Sequence, residues 1–148
     1  MDRRRPRRPP LRPLVLIVDH QEDTRAHYAL ALTALGFEVV TAREDDDPCR
    51  RAWELHPDII VTAVPEPIPE SIETSIDEPW HLLRDLRQTA RTREIPVVAV
   101  SGHASRSVVE RAEREGLAAF LTQPCMPQEL ASTLRQVLEG HVLGGAER

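Results

Sequence analysis

His56-Pro57-Asp58-Ile59-Ile60-Val61-Thr62-Ala63 is the stretch that decides the fold. Ile59–Thr62 reads as a short apolar strand that runs out at Ala63. Pro57 ends whatever helix comes before it, because the residue preceding a proline avoids helical angles. Asp58 belongs to the turn after that proline, at the far end of the strand from Ala63. A matching run, Leu14-Val15-Leu16-Ile17-Val18, leads into Asp19-His20. Continuous apolar runs of this length suit strands covered on both faces, as in a parallel sheet.

Working outward, Phe37–Thr41, Val97–Val100 and Ala118–Leu121 supply three more strands. The segments between them read as helices. The first is expected from Asp23 as N-cap, with Ala29, Leu32 and Leu35 on one face and Gly36 closing it. The second starts at Asp47-Pro48, with aspartate as cap and proline at the first helical position, and turns Cys49, Ala52 and Trp53 inward. Asp45-Asp46-Asp47 complements that helix's dipole, which accounts for the acidic triplet without a bound cation. A third helix restarts at Pro79 with Leu82, Leu83 and Leu86 inside. The fourth, capped by Ser105, presents Val108, Val109 and Ala112 and ends at Gly116. Pro127 opens the last, with Leu130, Leu134, Val137 and Leu138 inward and an end near Gly140.

Five strands alternating with five helices make a (βα)5 α/β unit, a doubly wound parallel five-stranded sheet. Its reactive groups are expected beyond the carboxyl ends of the strands, at the switch in strand order. The residues there are Asp19, His20, Ala63, Ser101 and Gln123.

A chain of 148 residues, 41% hydrophobic and 29% charged, is one soluble globular domain's worth. No apolar run approaches the roughly 18 residues of a spanning helix, so no membrane contact is expected. Two cysteines are too few for a disulfide framework and favour the reduced thiols of a cytoplasmic protein. Residues 1–13 carry six arginines against Asp2, a net +5, so the rest of the chain carries −10 of the overall −5. The domain plan is a basic, Arg/Pro-rich arm without periodicity (1–13), the folded unit (14–140) with a long acidic loop at 64–78, and a tail (141–148). An acidic body repels polyanions, so nucleic acid is a partner only through the arm. All 19 basic residues are arginine; lysine is absent.

LVLIVDH with Arg25 six residues after Asp19, ALGFEVVTA, HPDIIVTA, REIPVVAVSGHAS and GLAAFLTQPCMPQEL together resemble the receiver domains of two-component response regulators, in order and spacing, over residues 14 to about 140. The resemblance implies the flavodoxin-like strand order 2-1-3-4-5 and a phosphorylation pocket of five positions. The family's paired metal-binding acids fall on Asp19 and His20, and its phosphate-accepting aspartate falls on Ala63. Its hydroxyl falls on Ser101, its lysine on Gln123, and its switch aromatic on Phe120. Asp19, Ser101 and Phe120 match; nucleophile, second acid and cation do not. Phosphoryl transfer is mostly positioning and charge neutralisation, and all three means of it are impaired here. Asp19 alone would hold Mg²⁺ only weakly, and no cofactor is implied.

The resemblance therefore implies a degenerate, non-enzymatic pseudo-receiver that binds a partner protein, a histidine kinase or another signalling protein, through residues 105–140, with no output domain on this chain. Two alternatives remain open: phosphorylation at a non-standard residue such as Glu66, and a nucleic-acid accessory role of the arm. The arm and the 64–78 loop also have opposite charge and can attract one another. Two other constellations are disfavoured. Asp19, His20, His103 and Cys125 would suit a transition metal, but read better as separate loop side chains. A Cys125/His103 nucleophile pair lacks an orienting third group.

Overall fold

The computed structural model describes residues 12–19, 21–43, 46–64, 78–102, 106–123 and 125–140. The arm up to Leu11, His20, Asp45, the acidic loop from 65 to 77, His103, Ser105 and the tail from 141 lie outside the described residues. So does the side chain of Val108.

The elements follow in strict alternation: β1 (Leu14–Val18), α1 (Glu22–Ala34), β2 (Glu38–Ala42), α2 (Pro48–Leu55), β3 (Ile59–Val64), α3 (Glu78–Arg87), β4 (Val97–Ser101), α4 (Arg106–Glu115), β5 (Ala119–Thr122) and α5 (Pro127–Leu138). All strand pairs are parallel and the order is β2-β1-β3-β4-β5, as expected. Alternation of side chains along the strands divides the core in two. Val15, Ile17, Val61, Val98 and Val100 face Tyr28 and Leu32 of α1 and Leu130 and Leu134 of α5. Leu16, Val18, Ile60 and Ala99 face Ala52, Leu83, Leu86 and Ala112 on the other helices.

Asp58 ties the sheet together at its lower edge. Its Oδ2 accepts from the Leu14 N–H at 2.7 Å, while its own N–H donates to the Leu14 carbonyl at 2.8 Å. It sits below the strand's far end, as the sequence suggested. Helix α2 begins as expected, with Asp47 at the N-cap accepting from the Arg50 N–H and Pro48 at the first helical position. Gly36, Gly116 and Gly140 end α1, α4 and α5 with positive φ.

Four sequence expectations need correction. The N-cap of helix α1 is Gln21, two residues earlier than Asp23, which lies inside its first turn. Leu35 is that helix's C-cap and is partly exposed. β3 continues through Ala63 to Val64, because neighbouring β4 offers partners as far as Ser101. Trp53 points outward and is 49% exposed: Cys49 and Ala52 take the inward side of a helix only eight residues long, and the Trp53 ring is covered by the Arg91 guanidinium, 4.7 Å from its centroid.

Candidate functional site: the carboxyl edge of the sheet

Strand register brings the site together. Val18 pairs with Thr62, Ala63 with Val100, Val64 with Ser101, and Ser101 with Thr122. One step past Val18, Asp19 reaches the level of Ala63, and alternation puts both on the face of Ile17 and Val61. Four of the five anticipated pocket positions therefore meet at one edge; the fifth, His20, lies outside the described residues.

Asp19 is buried and fixed on both sides of its Cα. Its N–H donates to the Ala42 carbonyl at 3.2 Å, and its own carbonyl accepts from Arg25 Nη1 at 2.7 Å. Its Oδ1 accepts from the Gln21 N–H at 2.9 Å, so the carboxylate also closes the turn into α1. Ser101 is 1% exposed, and its carbonyl accepts from the Gln123 N–H at 2.7 Å, which joins the ends of β4 and β5. The Gln123 residue itself is exposed, and Ala63 is half-buried. Phe120 pairs with Ala99 and packs, half-buried, on the side of Ala112 and Leu117.

Mg²⁺ takes an octahedron of oxygens; of the four described positions Asp19 alone carries a carboxylate, one oxygen of which accepts from a backbone amide, and Ala63 adds no side-chain oxygen. Among the described residues no group of three or more His, Cys, Asp and Glu is placed to hold a metal. The disfavoured Asp19, His20, His103 and Cys125 constellation is described only for Asp19 and Cys125. The Cys125 thiol is buried, 3.7 Å from the Met126 carbonyl, and pushed up in pKa by that burial and then by the Glu129 charge, against a smaller lowering by the Tyr28 hydrogen bond. Burial and the raised pKa both disfavour the thiolate that metal or nucleophilic chemistry requires.

Tyr28 was missed from sequence. Its hydroxyl donates to the Cys125 carbonyl at 3.1 Å and ties α1 to the turn between β5 and α5. The available signal was its spacing four residues before the inward Leu32, together with its being the only tyrosine in the chain.

With this geometry in view, the comparisons with known proteins agree. Residues 15–135 match the family model of the response regulator receiver domain. The polar-differentiation response regulator DivK of Brucella ovis is 26% identical over 124 residues, which cover 84% of this chain and 94% of that protein. The phosphate regulon transcriptional regulatory protein PhoB of Escherichia coli is 24% identical over 124 residues, 84% of this chain but 51% of PhoB. Among solved structures, the receiver domain of a signal transduction histidine kinase from Syntrophus aciditrophicus superposes with TM-score 0.70 at 26% identity, covering 86% of this chain and 91% of that one. A response regulator from Desulfuromonas acetoxidans gives TM-score 0.70 at 24% identity, over 85% and 96%, a likeness of fold. No helix among the described residues is long and apolar enough to cross a membrane. The family match over most of the chain, on a 2-1-3-4-5 sheet with Asp19 and Ser101 at its carboxyl edge, makes this chain a member of the response regulator receiver domain family.

Proposed function

We propose that this receiver domain acts in two-component signalling without aspartyl phosphorylation, as a binding module for a signalling protein. The observation that carries the reading is the alanine at position 63. It stands beside the buried Asp19, at the end of the central strand, where a nucleophile would have to be. A methyl group neither attacks phosphorus nor ligates a metal, and Gln123 across the edge carries no charge to neutralise a phosphoryl group. The domain needs no resident Mg²⁺ in this reading.

The partner is a histidine kinase or another signalling protein, and it docks on the 105–140 surface. Support comes from its make-up: α4 carries exposed Glu110, Glu113 and Arg114, and the edge strand β5 carries the half-buried Phe120 on the α4 side and the half-buried Leu121 on the α5 side. A two-state equilibrium that phosphorylation would bias is instead held in one state or biased by the partner itself. The Cys125 environment and the carboxylate at Asp19 serve structure.

Intact-mass spectrometry after incubation with acetyl phosphate and Mg²⁺ tests this. The wild-type chain should stay unmodified. Gain of one phosphoryl group would overturn the proposal and make mapping the acceptor, with Glu66 among the candidates, the next step. The docking surface is tested by pull-down with Glu110→Arg and Leu121→Asp; capture of the same partners at undiminished yield would remove the 105–140 face from the reading.

A further inference from the structure

Helix α1 differs from the other helices in what it shows to solvent. Beyond its first turn its exposed face is Ala26, His27, Leu30, Thr33 and Ala34, with no charged side chain. Leu30 is 76% exposed, the most exposed large apolar residue described. The Thr33 hydroxyl donates to the Ala29 carbonyl at 2.7 Å, within the helix itself. The other helices interrupt their exposed faces with charge: Glu54 on α2, Asp85 on α3, Glu110 on α4 and Glu129 on α5.

The face is also matched to itself. Ala26 and Ala34 stand four residues to either side of Leu30. A twofold axis through Leu30 would set Leu30 on its equivalent and each Ala26 against an Ala34, the self-complementarity of an isologous contact. The stripe 23, 26, 30, 33, 34 has the three-and-four spacing that packs helices about 20° from antiparallel. The ends then complement one another in charge. At the N-terminal end are Glu22 and Asp23, with Arg25 engaged on the Asp19 carbonyl. At the C-terminal end are Arg135, whose Nη2 donates to the Leu35 carbonyl at 2.6 Å and whose guanidinium stacks on Phe37, and Arg12, whose Nη2 donates to the Phe37 carbonyl; Glu38 is the one acid there. In an antiparallel pair the acidic first turn of one α1 faces the C-terminal end of the other, where Arg135 and Arg12 lie. Two bodies of like net charge repel wherever charged faces meet, and this face avoids that cost.

We infer that the exposed face of α1 is a self-association surface, which pairs two copies of this chain antiparallel about Leu30. The contact is short, so the dimer is weak, with a Kd on the order of 10⁻⁴ M. Residues 1–11 join the domain at the same end, through Arg12, but bring no apolar run to cover Leu30.

Sedimentation velocity of the full chain, from micromolar to millimolar concentration, tests the inference. The wild type should shift toward dimer, Leu30→Arg should stay monomeric with an unchanged circular dichroism spectrum, and deletion of residues 1–11 should still dimerise. A wild type that is monomeric throughout overturns the inference. So does a Leu30→Arg variant that dimerises as before, or a dimer that is lost with residues 1–11. Cysteine cross-linking in a Cys49→Ser background fixes the geometry. Leu30→Cys should form a disulfide-linked dimer. Ala26→Cys and Ala34→Cys should not do so alone, since each would lie about 12 Å from its equivalent along the axis, but should do so when mixed. Self-linking of Ala26→Cys would overturn the antiparallel arrangement.

Discussion

Replacing Ala63 by aspartate places a second carboxylate beside the buried Asp19, on the adjoining strand and the same face of the sheet. Adjacent strands are about 4.8 Å apart, so the two charges sit roughly 5 Å from one another. At an effective dielectric of about 20, their repulsion is about 3 kcal/mol. Raising the pKa of one carboxyl relieves part of that cost, so the loss of stability at neutral pH should be about 2–3 kcal/mol in urea denaturation. A divalent cation reverses the sign, because a site with two carboxylates binds it in the folded state alone. Millimolar MgCl₂ should therefore raise the midpoint of Ala63→Asp and leave the wild type where it was. Two results would refute the reasoning. An undisturbed Ala63→Asp stability in the absence of Mg²⁺ would mean that the carboxylates do not share one pocket. A wild type stabilised by Mg²⁺ as strongly as the variant would mean that Asp19 forms a metal site without a carboxylate at 63.

Three further perturbations probe the framework. Asp58→Ala removes the acceptor for the Leu14 N–H and should cost about 1–3 kcal/mol by denaturant titration; a loss too small to measure would show that the bond is replaced by water. His56 ends α2 at φ 52°, in the left-handed region, so His56→Gly should raise stability by about 1 kcal/mol, and a lower melting temperature would contradict the strain argument. Glu115 accepts from Arg84 at 2.8 Å and Arg111 at 3.4 Å, and the Arg84 hydrogen bond is the main cause of its lowered pKa. A carboxyl depressed in the folded state contributes stability above its unfolded pKa and loses it as pH falls through the folded value. Glu115→Gln should thus be less stable than wild type at neutral pH and converge on it in acid; a constant difference at every pH would remove the ion pairs from the account.

Much of the fold was legible in the residues because its signals are local. Apolar runs of strand length, Asp47-Pro48 at a helix start and glycines at the helix ends each act through their own backbone, and the alternation of strands and helices leaves few ways to wind one sheet. Where a residue's position depends on what packs over it, the same reading failed. Trp53 looks inward by composition, yet an eight-residue helix with Cys49 and Ala52 on its inner side leaves the ring outside, under an arginine thirty-eight residues away. The length of β3 was likewise set by its neighbour. Hydrogen bonds to β4 carry it to Val64, past the point where its own apolar run ends.

The site divides along the same line. Sequence alone determined which groups are present: an aspartate after β1, an alanine on β3, a serine on β4, a glutamine after β5, and no lysine anywhere. It could do so because side-chain chemistry is a property of each residue, whatever its surroundings. Tertiary structure decided that Asp19 and Ala63 stand level on one face, that the Asp19 carboxylate closes the turn into α1, that Cys125 is buried, and that Leu30 faces solvent. Those facts depend on strand register and helix docking, which arise from contacts between residues far apart in the chain.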